Sequence, residues 1–475
     1  MTIDKTHIDA LIKIAGDKGY TIDPKSIKPH TEEPRGKFFG KTLLVLYPDS
    51  TEMVSDLVKY CYQHNIKIVP QGGITGLVGG TIPDQSGNEV VISLKRMNKV
   101  REKDLLNNTM TLESGVILSD AHDIAASMNA IMPMHIASEG SAMIGGNISS
   151  NAGGINVLRY GNMREFVLGL EVVLPNGDIW NGLTGLRKDN TGYDLKQLFI
   201  GAEGTLGIIT AATLKIYPDH KQKNTSFVAI PDPDAAVTLL SLAREVSGDS
   251  LIAFEILPRI GLDFTIEHMS GCREPLEAKY DWYMIMECAT SLSSDLLDLE
   301  TVMERILETA MEQGLVLDGV VPKNEKEARE LWNLREFMSE AQKFEGGSIK
   351  HDVAVPVSKI PEFLEKGTEL VKAEIPGIRP VPFGHIGDGN IHFNLSQPTD
   401  MEKSEYLAKW EDINHKVHEL VVSLGGSISA EHGIGTLKAD ELAHFKPDVD
   451  LNTMKSIKDA LDPKNIMNPG RILKV

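Results

Sequence analysis

The chain has 475 residues, more than a single hydrophobic core normally serves, so two or more domains are expected. Its hydrophobic content of 41% and charged content of 24% are typical of a globular protein, and no apolar run approaches the length of a membrane span. The net charge of −19 argues against binding to nucleic acid or to anionic membrane surfaces, because both attract basic patches.

Cysteine usage and the first residues bear on the cellular compartment. The three cysteines, Cys61, Cys272 and Cys288, are widely spaced and form neither a disulfide framework nor a CxxC site. Residues 1–9 are polar and partly acidic, unlike a secretory signal or a basic transit peptide. Both observations predict a cytoplasmic protein.

Helical and extended patterns alternate at the start of the chain. Residues 4–18 carry apolar side chains at helical spacing, residues 41–47 and 66–70 predict strands, and Asp49 or Ser50 can cap a helix to about residue 64. Residues 36–42 look like a nucleotide P-loop, but three residues separate the glycines where four are required. We therefore exclude a P-loop.

Three glycine-rich stretches follow, at residues 70–80, 140–154 and 198–210. The first has five glycines directly after a strand, which exposes backbone N–H groups as a pyrophosphate cradle requires. The second is dense in Gly, Ser, Asn and Ala, so its backbone can lie against a flat ligand. One such loop alone can be a plain surface turn, but three together favour one extended ligand. The first loop does not read GxGxxG, which argues against a Rossmann NAD site.

A different pattern begins near residue 221. Asp232 can cap a helix to about residue 246, residues 251–257 and 283–287 predict strands, and residues 295–313 predict a helix. This alternation favours an α+β second domain. The chain ends in a helix and a tail rich in Pro and Gly at residues 457–471.

Residues 380–395 and 429–435 contain a candidate metal site. Gly387–Asn390 has the composition of a tight hairpin turn, which would place His385 opposite His392, and Asn394 shares the face of His392. Glu431 or His432 could add a third ligand and leave an open position for substrate. The alternative is a hairpin whose histidines only hydrogen-bond its turn.

These motifs resemble a known flavoprotein family. The three glycine-rich stretches, preceded by PDSTE (48–52), are similar to the FAD domain of the vanillyl-alcohol-oxidase (PCMH-type) flavoproteins. The segments GHIGDGNIHFN (384–394) and AEHGIG (430–435) resemble the FAD-linked oxidase C-terminal domain. The resemblance implies an α+β fold, with a two-subdomain PCMH-type FAD-binding domain at 1–220 (core 38–218). It implies an α+β substrate domain with an antiparallel sheet at 221–475, of which 455–475 returns toward the FAD domain.

The resemblance also implies which residues contact FAD. They come from the three loops and the tail: Pro70, Gly72, Gly73, Thr75, Gly76, Leu77, Gly140, Ser141, Gly145, Gly146, Asn147, Ser150, Asn151, Gly153, Gly154, Glu203, Gly204, Gly207, Ile208 and Asn468. Residues 70–80 and 140–154 contain no His or Cys, so FAD cannot be tethered there and non-covalent binding is expected.

The implied activity is oxidation of a D-2-hydroxy acid, with hydride transfer from Cα to flavin N5. The resemblance also implies a divalent metal, Zn²⁺ or Mn²⁺, bound by His385, His392 and Glu431 of this chain. It implies that His432 is the general base. The implied substrate-binding residues are Arg335, Ser339, Lys350 and Asn394, with Arg335 and Ser339 four apart on one helix. Two cations besides the metal favour a dicarboxylate, D-2-hydroxyglutarate.

Several alternatives stay open. D-lactate, D-malate and glycolate are rival substrates, and a metal-dependent hydrolase or a non-catalytic flavin-binding subunit are rival functions. An electron-transfer flavoprotein or a quinone is the expected electron acceptor. The resemblance to the family implies a homodimer. Ile74 stands where the family commonly has Asn, and Ala354 where it usually has Ser, so individual hydrogen bonds differ.

Overall fold

A computed structural model describes residues 3–474 and divides the chain into two compact units. The first unit contains the residues up to Gly154, Gly161–Pro218 and the segment from Glu431 onward. The second contains Ile155–Tyr160 and Asp219–Ala430. Helices and mainly antiparallel sheets make up both units, so the predicted α+β class is confirmed.

Residues 3–218 form eleven strands and eight helices. The strands are β1 (Tyr20–Thr21), β2 (Val45–Leu46), β3 (Lys67–Gln71), β4 (Glu89–Ser93), β5 (Val100–Asp104), β6 (Thr109–Glu113), β7 (Ala130–Ile131), β8 (Val167–Val173), β9 (Ile179–Gly182), β10 (Ile208–Lys215) and β11 (Tyr217–Pro218). The helices are α1 (Lys5–Ala15), α2 (Pro24–Thr31), α3 (Thr51–His64), α4 (Leu118–Ala126), α5 (Ile144–Ser149), α6 (Val157–Tyr160), α7 (Met163–Phe166) and α8 (Lys196–Phe199). Helix α6 belongs to the second unit.

Two sheets form the frame of the first unit. One has the order β1-β2-β4-β3, with β4 parallel to β2 and β3, and the other is an antiparallel sheet of order β5-β6-β10-β8-β9. Ser50 caps α3 as predicted, since its side chain accepts the N–H of Met53. The expected strand 41–47 narrows to β2. Before β2, the Thr42 hydroxyl donates to the carbonyls of Leu44 and Glu89.

The residues from 219 to 430 form the second unit's main body. Its strands are β12 (Gln222–Ile230), β13 (Leu251–Pro258), β14 (Trp282–Thr290), β15 (Asp318–Val320), β16 (Ser348–Ile349), β17 (Asp352–Ala354), β18 (Arg379–Phe383) and β19 (Asn390–Ser396). Its helices are α9 (Pro233–Ser247), α10 (Arg259–His268), α11 (Leu299–Glu312), α12 (Glu325–Glu336), α13 (Met338–Ala341), α14 (Ile360–Glu374), α15 (Lys403–Leu407) and α16 (Trp410–Ser423). Short 3-10 turns span Gly248–Ser250, Gln342–Glu345 and Val357–Lys359.

Two antiparallel sheets organise the second unit. The first has the order β13-β14-β12-β15, and in the second β19 pairs with β16 and β17 on one side and with β18 on the other. Alternate residues of β13, such as Phe254 and Ile256, enter the apolar core with Leu239, Ile306 and Phe393. The opposite face of β13 and β14 is therefore where polar side chains such as Glu255 and Glu287 are found.

The segment from Glu431 returns the chain to the first unit. It forms α17 (Ala439–Phe445) and α18 (Asp448–Leu461), after which Ile466 and Met467 join the apolar core of Leu57 and Ile68. The Ile68 N–H donates to the Ile466 carbonyl at 2.8 Å, and the Asn468 N–H donates to the Ile68 carbonyl. Sequence reasoning expected the return to begin at 455, whereas the compact unit includes the chain from Glu431. Over residues 3–474, none of the helices is both long and apolar enough to cross a membrane.

A buried ion pair fastens this return segment. The Lys458 ammonium donates to the Asp462 carboxylate at 2.6 Å and to the carbonyls of Thr205 and Met467. Its side chain is 6% exposed and that of Asp462 is fully buried. Burial lowers the pKa of Lys458, and the carboxylate opposes that effect. Removing Asp462 would leave a desolvated ammonium without its counter-charge.

We predict that Asp462→Ala lowers the free energy of unfolding by about 3–5 kcal/mol, because it breaks a buried pair. Urea unfolding of the full chain, followed by circular dichroism, measures the loss. Asp459→Ala is the matched control, since Asp459 pairs with Lys455 on the same helix where both side chains are more than half exposed. That variant should lose about 0.5 kcal/mol or less. Equal losses in the two variants would contradict the role given to Lys458.

Candidate functional site

The first glycine-rich loop, residues 70–80, begins where β3 ends at Gln71. The Gln71 amide bonds the His30 ring at 2.6 Å and donates to the carbonyls of His30 and Thr81, which fixes the entry to the loop. Ile74 has φ 57°, a left-handed conformation that strains a β-branched residue and is tolerated by Asn. This backbone conformation explains why Asn is common at position 74 in the family that the sequence resembles. With Ile at position 74 the side-chain amide of Asn is absent, while the left-handed backbone conformation of the turn is present.

The second loop, residues 140–154, packs its backbone against the first. A Cβ on Gly73 would lie 2.0 Å from the Ser141 carbonyl oxygen, so the two loops touch at a distance that only glycine permits. The middle of the second loop forms the short helix α5. A Cβ on Gly145 would lie 2.6 Å from the Ser114 side chain, whereas a Cβ on Gly146 would meet no heavy atom within 4 Å among residues 3–474. One glycine of the pair thus faces protein and the other faces open space.

Two buried amides at these loops point to a missing ligand. The Nδ2 atom of Asn147 and the Oδ1 atom of Asn468 are buried and have no hydrogen-bond partner within residues 3–474. Buried amide atoms are normally paired. Added Cβ atoms on Gly76 and Gly140, like that on Gly146, would also meet no described atom within 4 Å. Open backbone and unsatisfied amides fit a ligand that, like FAD, offers many hydrogen-bonding groups on a flat body.

Glu203, in the third loop, connects that loop to the return segment. Its carboxylate accepts the backbone N–H groups of Ile434 and Gly435 at 2.7 and 2.8 Å, and its own carbonyl accepts the Asn468 amide. Burial raises the pKa of the Glu203 carboxyl, while the two backbone donors act in the opposite direction. The side chain of Glu203 thus connects the third loop to the return segment by hydrogen bonds. A contact of Glu203 with FAD stays a prediction.

The first unit also holds Glu431, one of the predicted metal ligands. Its Oε1 atom accepts the N–H of Gly154 at 2.7 Å, at the end of the second loop. His432 follows in the turn that Gly433 and Gly435 allow through their positive φ angles of 79° and 54°. The three glycine loops, Asn468 and the Glu431–Gly435 turn are therefore close together within the first unit.

In the second unit, the hairpin differs from its predicted register. Phe383, and not His385, lies opposite His392 in the ladder between β18 and β19, so the expectation of a four-residue loop was wrong. The reason is Gly384, whose φ of 149° turns the chain out of β18, where its N–H and C=O pair with Ile256 of β13. The loop is longer, yet the rings of His385 and His392 still approach to 5.5 Å between centroids. Convergence of the two imidazoles is confirmed.

Glu255 contacts two of the predicted site residues at once. Its carboxylate accepts a hydrogen bond from His385 Nδ1 at 2.5 Å and from Arg335 Nε at 2.6 Å. Burial alone would raise the pKa of the Glu255 carboxyl, but the charges and hydrogen bonds of His385 and Arg335 lower it to about 2. The Arg335 guanidinium also lies over the Phe383 ring, 4.7 Å from its centroid. A predicted metal ligand and a predicted substrate-binding cation are thus held by one anion.

The helix that was expected to carry Arg335 and Ser339 together is interrupted. Helix α12 ends at Glu336, Ser339 lies in the separate α13, and Phe337 between them has ψ −7°. The predicted single helix is therefore divided into two at Phe337. Arg335 turns to Glu255, while Ser339 accepts from Lys350 through its hydroxyl at 2.7 Å and its carbonyl at 3.2 Å. Lys350 and Ser339 form one pair and Arg335 belongs to another.

The other predicted residues lie along β19 and β17. Asn394 is buried, two residues beyond His392 on the same strand. Asp352 pairs with His392 across the ladder, and its Oδ1 lies 3.7 Å from His392 Nδ1. Each candidate imidazole therefore has a buried carboxylate near its Nδ1 atom. Ala354 of the same strand exchanges backbone hydrogen bonds with Ser427, so the lost Ser hydroxyl does not affect this pairing.

Sequence reasoning missed both carboxylates. Glu255 is the one charged residue in the apolar strand segment 251–257, and a charge at such a position requires a buried partner. Asp352 lies beside His351 in a segment from which the sequence analysis selected only Lys350 and Ala354. The lone acidic residue in an apolar strand was the signal that could have found Glu255.

Two protein families match most of the chain. The family of FAD linked oxidases, C-terminal domain, matches residues 219–472, and an FAD binding domain family matches residues 42–182. Among solved structures, p-cresol methylhydroxylase with substrate bound is similar with a TM-score of 0.73 at 17% identity, covering 99% of this chain and 97% of the other. This likeness confirms the predicted PCMH-type fold.

Two curated relatives align over nearly the whole chain. A probable D-2-hydroxyglutarate dehydrogenase of Oryza sativa subsp. indica is 38% identical, covering 97% of this chain and 80% of its own. A putative D-lactate dehydrogenase of Schizosaccharomyces pombe is 35% identical, covering 98% of this chain and 87% of its own. Both relatives are named as mitochondrial, so the expected cytoplasmic location is not confirmed. The chain belongs to the FAD-linked oxidase family and is an FAD-dependent oxidoreductase.

Proposed function

We propose that this protein oxidises a D-2-hydroxy acid to the 2-oxo acid, with D-2-hydroxyglutarate as the preferred substrate. The observation that carries the proposal is the arrangement of His385, Glu255 and Arg335, in which one buried carboxylate of the second unit bonds both an imidazole and a guanidinium. An imidazole can serve a metal and a guanidinium can serve a substrate carboxylate. The names of the relatives in Oryza sativa and Schizosaccharomyces pombe support this substrate class.

FAD would be held, without a covalent link, by the three glycine loops and Asn468. The unpartnered Nδ2 atom of Asn147, the unpartnered Oδ1 atom of Asn468 and the open sides of Gly76, Gly140 and Gly146 support this assignment. Bound FAD supplies the hydride acceptor for this class of oxidation. The protein's own contribution at these loops is backbone N–H groups and space.

His385 and His392 would bind a divalent metal, Zn²⁺ or Mn²⁺, with Glu431 as the third ligand. Two imidazoles and one carboxylate suit either ion and leave a position for substrate. When bound, the metal supplies a Lewis acid that lowers the pKa of the substrate hydroxyl. His432 would then take the hydroxyl proton as general base, because a neutral imidazole nitrogen can accept a proton.

The substrate's carboxylates require cationic partners. Arg335 would bind one carboxylate through the outer edge of its guanidinium, and Lys350 with Ser339 would bind the other. The buried amide of Asn394 would donate to the substrate beside His392. Two separate cationic positions favour a dicarboxylate over D-lactate, D-malate being the shorter dicarboxylate rival.

D-lactate is the second candidate substrate, because a relative named for it aligns over nearly the full chain. Glycolate has one carboxylate, so it would need only one of the two cationic positions. Electrons would leave the protein for an electron-transfer flavoprotein or a quinone, and a homodimer is the proposed assembly. A cytoplasmic location stays part of the proposal. A metal-dependent hydrolase would leave the glycine loops without a role, and we do not favour it.

We predict that Gly146→Ala weakens FAD binding by about tenfold or more, since its methyl group enters space that FAD would fill and overpacking costs about 1–3 kcal/mol. The apoprotein should be stabilised by about 0.5–1 kcal/mol, because Ala is preferred to Gly in a helix. Fluorescence titration of FAD and thermal unfolding of the apoprotein measure the two effects.

Gly145→Ala is the matched comparison for this prediction, because its methyl group would collide with Ser114. That variant should lose apoprotein stability. Unchanged FAD affinity in Gly146→Ala would show that FAD lies elsewhere.

We predict that His392→Ala loses bound metal together with turnover, whereas His432→Ala keeps metal and flavin but loses about 10²–10⁴ in kcat. A metal ligand is needed for occupancy, while a general base is needed only for the reaction. Elemental analysis, flavin absorbance and steady-state rates with a dye acceptor separate these outcomes. His64→Ala, at an exposed position of α3, is the control. Full metal content in His392→Ala would exclude it as a ligand.

We predict that Lys350→Ala raises KM for D-2-hydroxyglutarate by about tenfold or more, since a charge-assisted hydrogen bond contributes about 1.5–3 kcal/mol. KM for D-lactate should stay nearly the same, because D-lactate has no second carboxylate. Dye reduction with both acids gives the comparison. Lys343→Ala removes an exposed lysine paired with Glu340 and should change neither value. An equal rise for both acids would refute the assignment of Lys350.

A further inference from the structure

Glu255 occupies an unusual position for an acid. It is fully buried in β13, where its neighbours Phe254 and Ile256 face the apolar core and its own side chain points to the opposite face of the sheet. A buried carboxylate is costly unless donors surround it. The carboxylate of Glu255 accepts from His385 Nδ1 and Arg335 Nε, and both of these residues belong to the proposed site.

We propose that Glu255 is a positioning residue that sets the metal-binding tautomer of His385 and the orientation of Arg335 at the same time. The inference rests on the proposed function, because it takes His385 as a metal ligand and Arg335 as a substrate-binding residue. It adds a residue that touches neither metal nor substrate and controls both through geometry.

The tautomer argument follows from which ring nitrogen carries the proton. An ionised carboxylate can only accept, so His385 Nδ1 must donate its N–H across the 2.5 Å contact. The lone pair of the neutral ring then lies on Nε2, the atom that would bind the metal. A carboxylate on the far side of a metal-binding imidazole also makes the ring a stronger ligand, and loss of such a partner weakens metal affinity by about 10–100-fold.

The second arm acts on Arg335. Glu255 takes the Nε–H, and the Phe383 ring lies against the guanidinium plane at 4.7 Å from its centroid. These two contacts restrict the rotation of the group and leave the Nη edge as a fork for a carboxylate. Phe383 also faces the His392 ring, with centroids 5.2 Å apart. The orientation of the arginine and the placement of both imidazoles are thus linked through Glu255 and Phe383.

Only a carboxylate serves both arms. Both partners present an N–H, so the residue between them must offer two acceptors, as the two oxygens of Glu255 do. A glutamine of the same shape offers one acceptor and one donor. In Glu255→Gln, the amide N–H2 would therefore face either the His385 Nδ1–H or the Arg335 Nε–H. The ring can escape this clash by moving its proton to Nε2, where the proton excludes a metal.

Glu287 provides a matched control on the neighbouring strand β14. It too is buried, on the same sheet face, and it accepts from Trp332 Nε1 at 2.9 Å and from the Thr225 hydroxyl at 2.7 Å. Trp332 precedes Arg335 by one turn of α12, so the two strand glutamates hold the same helix. Its ion pair is with Lys223 at 2.8 Å, and within residues 3–474 it makes no hydrogen bond or ion pair with His385 or Arg335. The control therefore separates the loss of a buried carboxylate from the loss of Glu255 in particular.

The test measures Zn²⁺ affinity of the full-length, FAD-loaded protein after metal removal, by competition with a chromophoric chelator, for wild type, Glu255→Gln, Glu255→Asp and Glu287→Gln. We expect Glu255→Gln to bind Zn²⁺ about 10–100-fold more weakly than wild type. Glu287→Gln should stay within a factor of two. Glu255→Asp restores two acceptors and should recover part of the affinity, which distinguishes positioning from a loss of folding. Flavin absorbance reports the integrity of each variant.

A second readout follows the arginine arm. The affinity for D-2-hydroxyglutarate, measured from its perturbation of the flavin spectrum in metal-free protein, should fall in Glu255→Gln and not in Glu287→Gln. Wild-type Zn²⁺ affinity in Glu255→Gln would overturn the inference while leaving the proposed metal ligands intact. Equal Zn²⁺ affinity in wild type and His385→Ala would instead overturn the proposed metal set, and the inference with it.

Discussion

A carboxylate that is removed from water must be matched by donors, and this constraint organises the candidate site residues of both units. In the first unit Glu203 satisfies it with the N–H groups of Ile434 and Gly435, which brings the return segment to the third glycine loop. In the second unit Glu255 satisfies it with His385 and Arg335. In each case a buried carboxylate binds donors from residues that lie far apart in sequence and so fixes their positions. The chemistry proposed for His432, His385 and Arg335 depends on these two anions.

Glycine provides the complementary constraint, which is space. Gly73 lets the first two loops meet backbone to backbone, and Gly145 lets α5 approach Ser114. Added Cβ atoms on Gly76, Gly140 and Gly146 would meet no described atom within 4 Å, and one buried amide atom each of Asn147 (Nδ2) and Asn468 (Oδ1) has no partner within residues 3–474. A side chain at any of these positions would occupy the volume that we propose for FAD. The strained Ile74 shows that the turn itself is retained even where the favoured residue is absent.

Local patterns predicted the elements and the pairing of imidazoles well. Ser50 and Asp232 cap helices where their side chains predicted caps, and strands β13 and β14 lie within a few residues of their expected bounds. The hairpin register was wrong because Gly384 pairs with Ile256, a contact 128 residues away in sequence that no local pattern reveals. Helix α12 ends before Ser339, and Arg335 and Ser339 have different partners that lie 80 and 11 positions away in sequence. Glu255 was missed for the same reason, since its role depends on residues 80 and 130 positions away.

We propose that FAD accepts the hydride of a D-2-hydroxy acid in a metal-dependent reaction. Flavin reduction in a single turnover tests this proposal. Purified protein is mixed anaerobically with D-2-hydroxyglutarate, before and after removal of metal by a chelator, and the absorbance of the oxidised flavin is followed in a stopped-flow instrument. The account predicts rapid bleaching, a large loss of rate after chelation, and recovery when Zn²⁺ or Mn²⁺ is added back. Bleaching at an unchanged rate in chelated protein, or no bleaching with any D-2-hydroxy acid, would contradict it.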